Sequence, residues 1–88
     1  MKDIAKKTII LYVLKMIYYG SSKEKPITFT SIVKVLNSIG VQCERRTVGR
    51  NVDYLISFGV PIIKIKSGGC YYDKDADERE KNEWIKVL

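Results

Sequence analysis

The chain has 88 residues, 45% of them apolar and 30% charged, with a formal net charge of +6. That length fits one domain with a single modest core, and the apolar content excludes a disordered tail. The positive balance favours a polyanionic partner, because it raises both encounter rate and non-specific affinity. The charge is uneven: residues 1–72 hold 12 Lys and Arg against 4 Asp and Glu, whereas residues 73–88 hold 4 against 6. The field therefore belongs to the body of the domain, and the C-terminal stretch subtracts from it.

The first expected element is a helix over residues 2–19. Ile10, Leu11, Leu14, Ile17 and Tyr18 fall at spacings that share one helical face, and Ile9, Val13 and Met16 widen it. Its core, TIILYVLKMIYYG, is too short to span a bilayer and contains Lys15. No small-residue cleavage site closes it, so it does not read as a signal peptide. The chain is expected to be cytoplasmic, with no membrane partner. Gly20 follows as a stop, and SSKEKP reads as a polar loop.

Thr28 can cap a second helix over residues 29–39, because its hydroxyl accepts an otherwise unpaired first-turn N–H. Ile32, Val35, Leu36 and Ile39 form the expected buried stripe, and Gly40 ends it. After the short turn VQC, a third helix is expected from about Arg45 to Phe58. Its buried stripe is Val48, Val52, Leu55 and Ile56, and Gly59 followed by Pro61 terminates it.

Residues 62–72 read as a hairpin. Ile63 and Ile65 alternate with Lys64 and Lys66, the period of a half-buried strand. Ser67-Gly68-Gly69 supplies the turn, and Cys70–Tyr72 returns. Asp75 with Glu78, or Asp77 alone, can start a short last helix with Trp84, Ile85 and Leu88 on its apolar edge. The expected organisation is thus residues 1–74 as the domain proper and 75–88 as a helical tail.

Helix, helix, short turn, helix and hairpin is the order of a winged helix-turn-helix. The expected fold class is α+β, mainly α: a three-helix core, a two-stranded β-hairpin wing and a short C-terminal helix. If the third helix turns Val48, Val52, Leu55 and Ile56 inward, then Arg46, Gly49, Arg50 and Asp53 look outward, with Arg45 in the first turn. An α-helix fits the major groove of B-DNA and its N-terminal residues reach base edges first. A guanidinium can grip phosphate or pair with guanine through two bonds. Lys64 and Lys66 on the wing suit flanking phosphates, which fix position without reading sequence.

The run RRTVGRNVDYLISFGVPI followed by GGCYY resembles the winged helix-turn-helix that opens WYL-domain bacterial transcription regulators, which is similar in turn to the DeoR type. Arg45, Arg46, Thr47, Val48, Arg50, Leu55, Gly59, Pro61, Ile62, Gly68, Gly69, Tyr71 and Tyr72 carry the resemblance, which covers about residues 5–72. It implies sequence-specific double-stranded DNA binding as a homodimer, with Arg45, Arg46, Thr47 and Arg50 facing the duplex. It also implies a ligand-sensing domain after the wing, so the chain reads either as a single-domain protein or as part of a larger regulator. Three positions depart from the pattern: Glu44 replaces a capping serine, Gly49 a larger residue, and Asn51 a frequent aspartate.

A different function class stays open. A winged helix can serve as a protein-interaction module, such as a small mobile-element inhibitor or adaptor of a nucleic-acid-handling complex. Enzymatic function is not expected: there is no histidine, no phosphate-cradling glycine loop and no paired carboxylate outside the acidic tail. Cys43 and Cys70 are the only cysteines and read as reduced thiols, with no metal site and no cofactor. Paired tyrosines as stacking platforms for single strands are a weaker option than tyrosines filling a core.

Overall fold

A computed structural model describes residues 8–79. The elements run α1 (Ile9–Gly20), β1 (Ile27–Thr28), α2 (Phe29–Ser38), α3 (Arg45–Phe58), β2 (Ile62–Ile65), β3 (Gly69–Tyr72) and α4 (Lys74–Arg79). The result is a small, mainly helical α+β fold with one three-stranded antiparallel sheet in the order β1-β3-β2. Residues 2–7 of the expected first helix, and the tail side chains Trp84, Ile85 and Leu88, lie outside the described residues. Among those described, no helix is long and apolar enough to cross a membrane.

Local chemistry explains the helix ends. Ser31 N–H donates to the Thr28 hydroxyl at 3.1 Å, which starts α2 as its sequence predicts. Gly40 and Gly59 take positive φ, 89° and 114°. Each lets the chain reverse so that Val41 N–H reaches Leu36 C=O at 2.8 Å and Val60 N–H reaches Leu55 C=O at 3.0 Å. These bonds satisfy carbonyls that a helix end otherwise leaves open. At α1, by contrast, Gly20 is the last helical residue and Ser21 breaks the helix in an extended conformation. Asp73 starts α4 by accepting from the N–H groups of Asp75 and Ala76, ahead of the Asp75 or Asp77 start expected.

The core joins Ile9, Val13 and Ile17 of α1, Ile32 and Leu36 of α2, and Val48, Val52 and Leu55 of α3 to Ile62, Cys70 and Tyr72 of the sheet. Three expected stripe residues stay outside it. Val35, Ile39 and Ile56 are 47%, 46% and 37% exposed, because α2 and α3 each meet neighbours across a narrower face than the full apolar stripe. In α1 the buried line is Ile9-Val13-Ile17, while Leu11 is 57% exposed. The apolar residues encircle that helix, so periodicity alone left its phase open.

The sheet corrects two further expectations. A third strand, β1, pairs Ile27 with Cys70 and Thr28 with Gly69. Gly69 is therefore not part of the turn: a Cβ there would come within 2.5 Å of Ile27 C=O, so glycine is needed for strand approach. Only Gly68 carries the turn's positive φ, at 90°. The phase of β2 also differs from expectation. Ile62 pairs with Tyr72 and Lys64 with Cys70, and Ile62, Cys70 and Tyr72 are all buried. Since side chains two apart share a sheet face, Lys64 lies on the face turned to the helices, while Ile63 lies on the other face, exposed.

Where β1 ends, Ser21 takes over. The Tyr72 N–H donates to Ser21 Oγ at 3.0 Å, and that hydroxyl donates to Ile17 C=O at 2.6 Å. One buried serine thus closes the last turn of α1 and extends the hydrogen bonding of β3 beyond the last β1 pair. The Tyr72 ring packs edge-on against Tyr18, with centroids 4.8 Å apart, which makes Tyr72 a core residue and not a stacking platform.

Candidate nucleic-acid interface

The geometry of α3 follows from its sequence. With Val48, Val52 and Leu55 buried, a period of about 3.6 residues turns positions 46, 50, 53 and 57 directly away from the core. Arg46 and Arg50 occupy that outward ridge and are exposed. Arg45, in the first turn, is exposed too. Among the described residues, none of the three arginines enters an ion pair; the single salt bridge there is Lys64 with Asp53.

The flanks of α3 separate the remaining sequence-predicted residues. On one flank, Arg45 reaches the hairpin turn: a side chain at Gly68 would begin 2.8 Å from Arg45 Nη2. Gly49 is half-buried on this side, with the Phe29 ring 3.6 Å from where its Cβ would be. Sequence reading turned Gly49 outward, and the structure corrects this. The absence of a side chain there leaves room for the aromatic ring at the start of α2.

On the opposite flank, Thr47 is half-buried. Its carbonyl accepts from Asn51 Nδ2 at 2.8 Å. Asn51 therefore bonds within its own helix at the position where the resembling family carries an aspartate. Thr47, Arg50 and Asn51 border an open groove of about 780 Å³ between α3 and the start of α1. The groove continues into an apolar one of about 340 Å³ bordered by Leu11, Leu14, Tyr54 and Phe58. The predicted set is thus split. Arg46 and Arg50 share the outward ridge, Arg45 leans to the hairpin, and Thr47 turns toward α1.

Glu44 holds the N-cap position with extended backbone but makes no side-chain cap bond. Lys66 is exposed at the hairpin turn. Lys64 is exposed as well, but its Nζ lies 2.9 Å from Asp53 Oδ1 on α3. That pair escaped the sequence reading. The signal for it was the alternative phase of IIKIK, which puts Lys64 on the same face as Ile62.

Neither thiol is activated. Burial pushes Cys70 up to about 11, with the nearby positive charge of Lys64 opposing it in part. Burial also raises Cys43 above its ordinary range. A raised pKa lowers the thiolate fraction at neutral pH, which slows an accessible thiol without blocking it. Among the described residues no group of His, Cys, Asp and Glu side chains is arranged to hold a metal ion.

Compared with protein-family models, curated proteins and solved structures, the chain matches none. Its likeness to the WYL and DeoR type rests on the motif RRTVGRNVDYLISFGVPI and GGCYY alone.

Proposed function

We propose that this protein is a winged helix-turn-helix regulator that binds double-stranded DNA with sequence preference. In this reading α3 enters the major groove and the β2–β3 hairpin is a wing on the flanking backbone. Arg46 and Arg50 reach base edges, while Arg45 and Lys66 hold phosphates. Arginine suits this task because its planar fork matches guanine N7 and O6.

The observation that carries the reading is the outward ridge of α3. Two arginines stand exposed there, opposite Val48, Val52 and Leu55, and no carboxylate among the described residues pairs with them. The net charge of +6 supports it. The resemblance of RRTVGRNVDYLISFGVPI to the WYL-type pattern, which includes these same arginines, is in keeping with it.

Selection of bound sequences from a random duplex pool, near physiological salt, is the test. A recurrent site is expected, and a palindromic one indicates a homodimer. Arg50→Ala is expected to cost about 1–3 kcal/mol of binding at one base position and to relax preference there. An unenriched pool, or an Arg50→Ala protein with unchanged binding, refutes the reading.

One observation favours a second reading, a protein-interaction module. The groove beside Leu11, Leu14, Tyr54 and Phe58 is apolar and open, and an exposed apolar patch is a feature of contact surfaces. Binding to duplexes that is weak and indifferent to sequence would favour this reading over the first.

A further inference from the structure

Asp53 stands on the same outward ridge of α3 as Arg46 and Arg50, one turn beyond Arg50. A bare carboxylate at that place meets an approaching phosphate with like charge. The side chain that answers it comes from the hairpin. Lys64 shares its sheet face with Ile62 and pairs across the strands with Cys70, so its stem leaves β2 on the side of the helices. From there its ammonium reaches Asp53 Oδ1 at 2.9 Å. Both side chains are exposed, at 46% and 58%, and an exposed ion pair adds little to folding. The consequence of the pair lies in the charge that this face offers a partner.

Resting on the duplex-binding reading above, we propose that Asp53 is an affinity-limiting residue that holds Lys64 away from the phosphates. Lys64 stays on Asp53 in the complex and neutralises it, and Lys66 alone anchors the hairpin. Two costs decide this. If Lys64 moved to a phosphate, it would gain one contact and leave Asp53 unneutralised within the interface. A like-charge juxtaposition in an interface is far more costly than one phosphate contact is favourable.

The test is titration of a labelled mixed-sequence duplex by fluorescence polarisation, over a range of salt, with the wild type, D53N and K64A. Circular dichroism checks that each variant is folded, as substitutions at two exposed positions should leave it. Removing the carboxylate frees Lys64 for a phosphate. D53N is therefore expected to bind more tightly, with a slope of log affinity against log salt steeper by about 0.9. Its affinity then falls about threefold further than that of wild type between roughly 50 and 200 mM salt. K64A is expected to bind more weakly with its slope unchanged, because it exposes a repulsive carboxylate without deleting a phosphate contact. A shallower slope in K64A, or an unchanged slope in D53N, overturns the proposal while leaving duplex binding intact. A wild-type protein that binds no duplex at any salt overturns the binding reading itself, and this proposal with it.

Discussion

Replacing Ser21 by alanine removes one oxygen and disturbs two elements. Ser21 Oγ is the acceptor for the Tyr72 N–H and a donor to Ile17 C=O, and Tyr72 is only 1% exposed. Without the hydroxyl, the N–H faces a methyl group in a place water does not reach. An unsatisfied buried donor costs about 1–3 kcal/mol. The Ile17 carbonyl loses less, since an oxygen with two lone pairs tolerates one missing partner. Ser21→Ala should therefore destabilise by about 2 kcal/mol, which for a domain of this length lowers the melting temperature by roughly 10 °C. Urea unfolding followed by circular dichroism measures the first quantity, with an unchanged denaturant slope showing that the two end states are the same. Amide exchange adds a local reading: the Tyr72 N–H should lose more protection than the N–H of Cys70. A loss below about 0.5 kcal/mol, the range of an ordinary surface change, would refute the account of Ser21 as the link between α1 and β3.

Four other substitutions or conditions test the rest of the fold. Gly69→Ala puts a Cβ 2.5 Å from Ile27 C=O, an overlap with backbone that no side-chain rotation relieves, and should cost at least about 2 kcal/mol in thermal unfolding. Gly49→Ala should act in the opposite direction: its Cβ meets only the Phe29 ring at an ordinary 3.6 Å, and replacing glycine within a helix contributes about 0.5–1 kcal/mol of stability. For the thiols, Ellman's reagent at neutral pH should titrate half-exposed Cys43 in the native protein and buried Cys70 only upon unfolding. The thiol of Cys70, held at about 11 against an ordinary value of 9.0, also predicts a pH dependence. Unfolded chains ionise first, so the thiol's contribution is fully present below about pH 9 and is lost as pH rises toward 11. Urea midpoints measured across that window should fall, and by less once Cys70 is replaced by valine.

Much of the helical framework was legible because its punctuation is local. Thr28 as cap, Gly40 as reversal, and Gly59 before Pro61 each act through their own backbone conformation or hydrogen bonding, whatever lies nearby. The boundaries of α3 and the end of β3 follow as expected. β1 was not legible, since a two-residue strand has no period and forms only because β3 offers it an edge. The burial phase was ambiguous wherever apolar residues are abundant. In IIKIK the alternation of Ile63 and Ile65 with Lys64 and Lys66 points to one phase, and the structure takes the other, with Ile62 buried and Lys64 on its face of the sheet. Val35, Ile39 and Ile56 match a buried stripe by spacing, yet remain exposed because no element among the described residues covers them.

For the candidate site the division is similar. The residue types at the head of α3 and their helical spacing determine that Arg46 and Arg50 oppose Val48, Val52 and Leu55, since a helix of fixed pitch leaves no other arrangement. Spacing could not determine which cations stay unpaired. Lys64 and Asp53 are 11 residues apart, and whether they meet depends on the angle at which the hairpin returns beside α3. Only packing of the assembled fold sets that angle, as it sets the place of Phe29 over Gly49 and of Ser21 behind Tyr72. Local backbone preference acts over a few residues and is written in the sequence, whereas the pairing of distant side chains is decided by the shape that all the elements reach together.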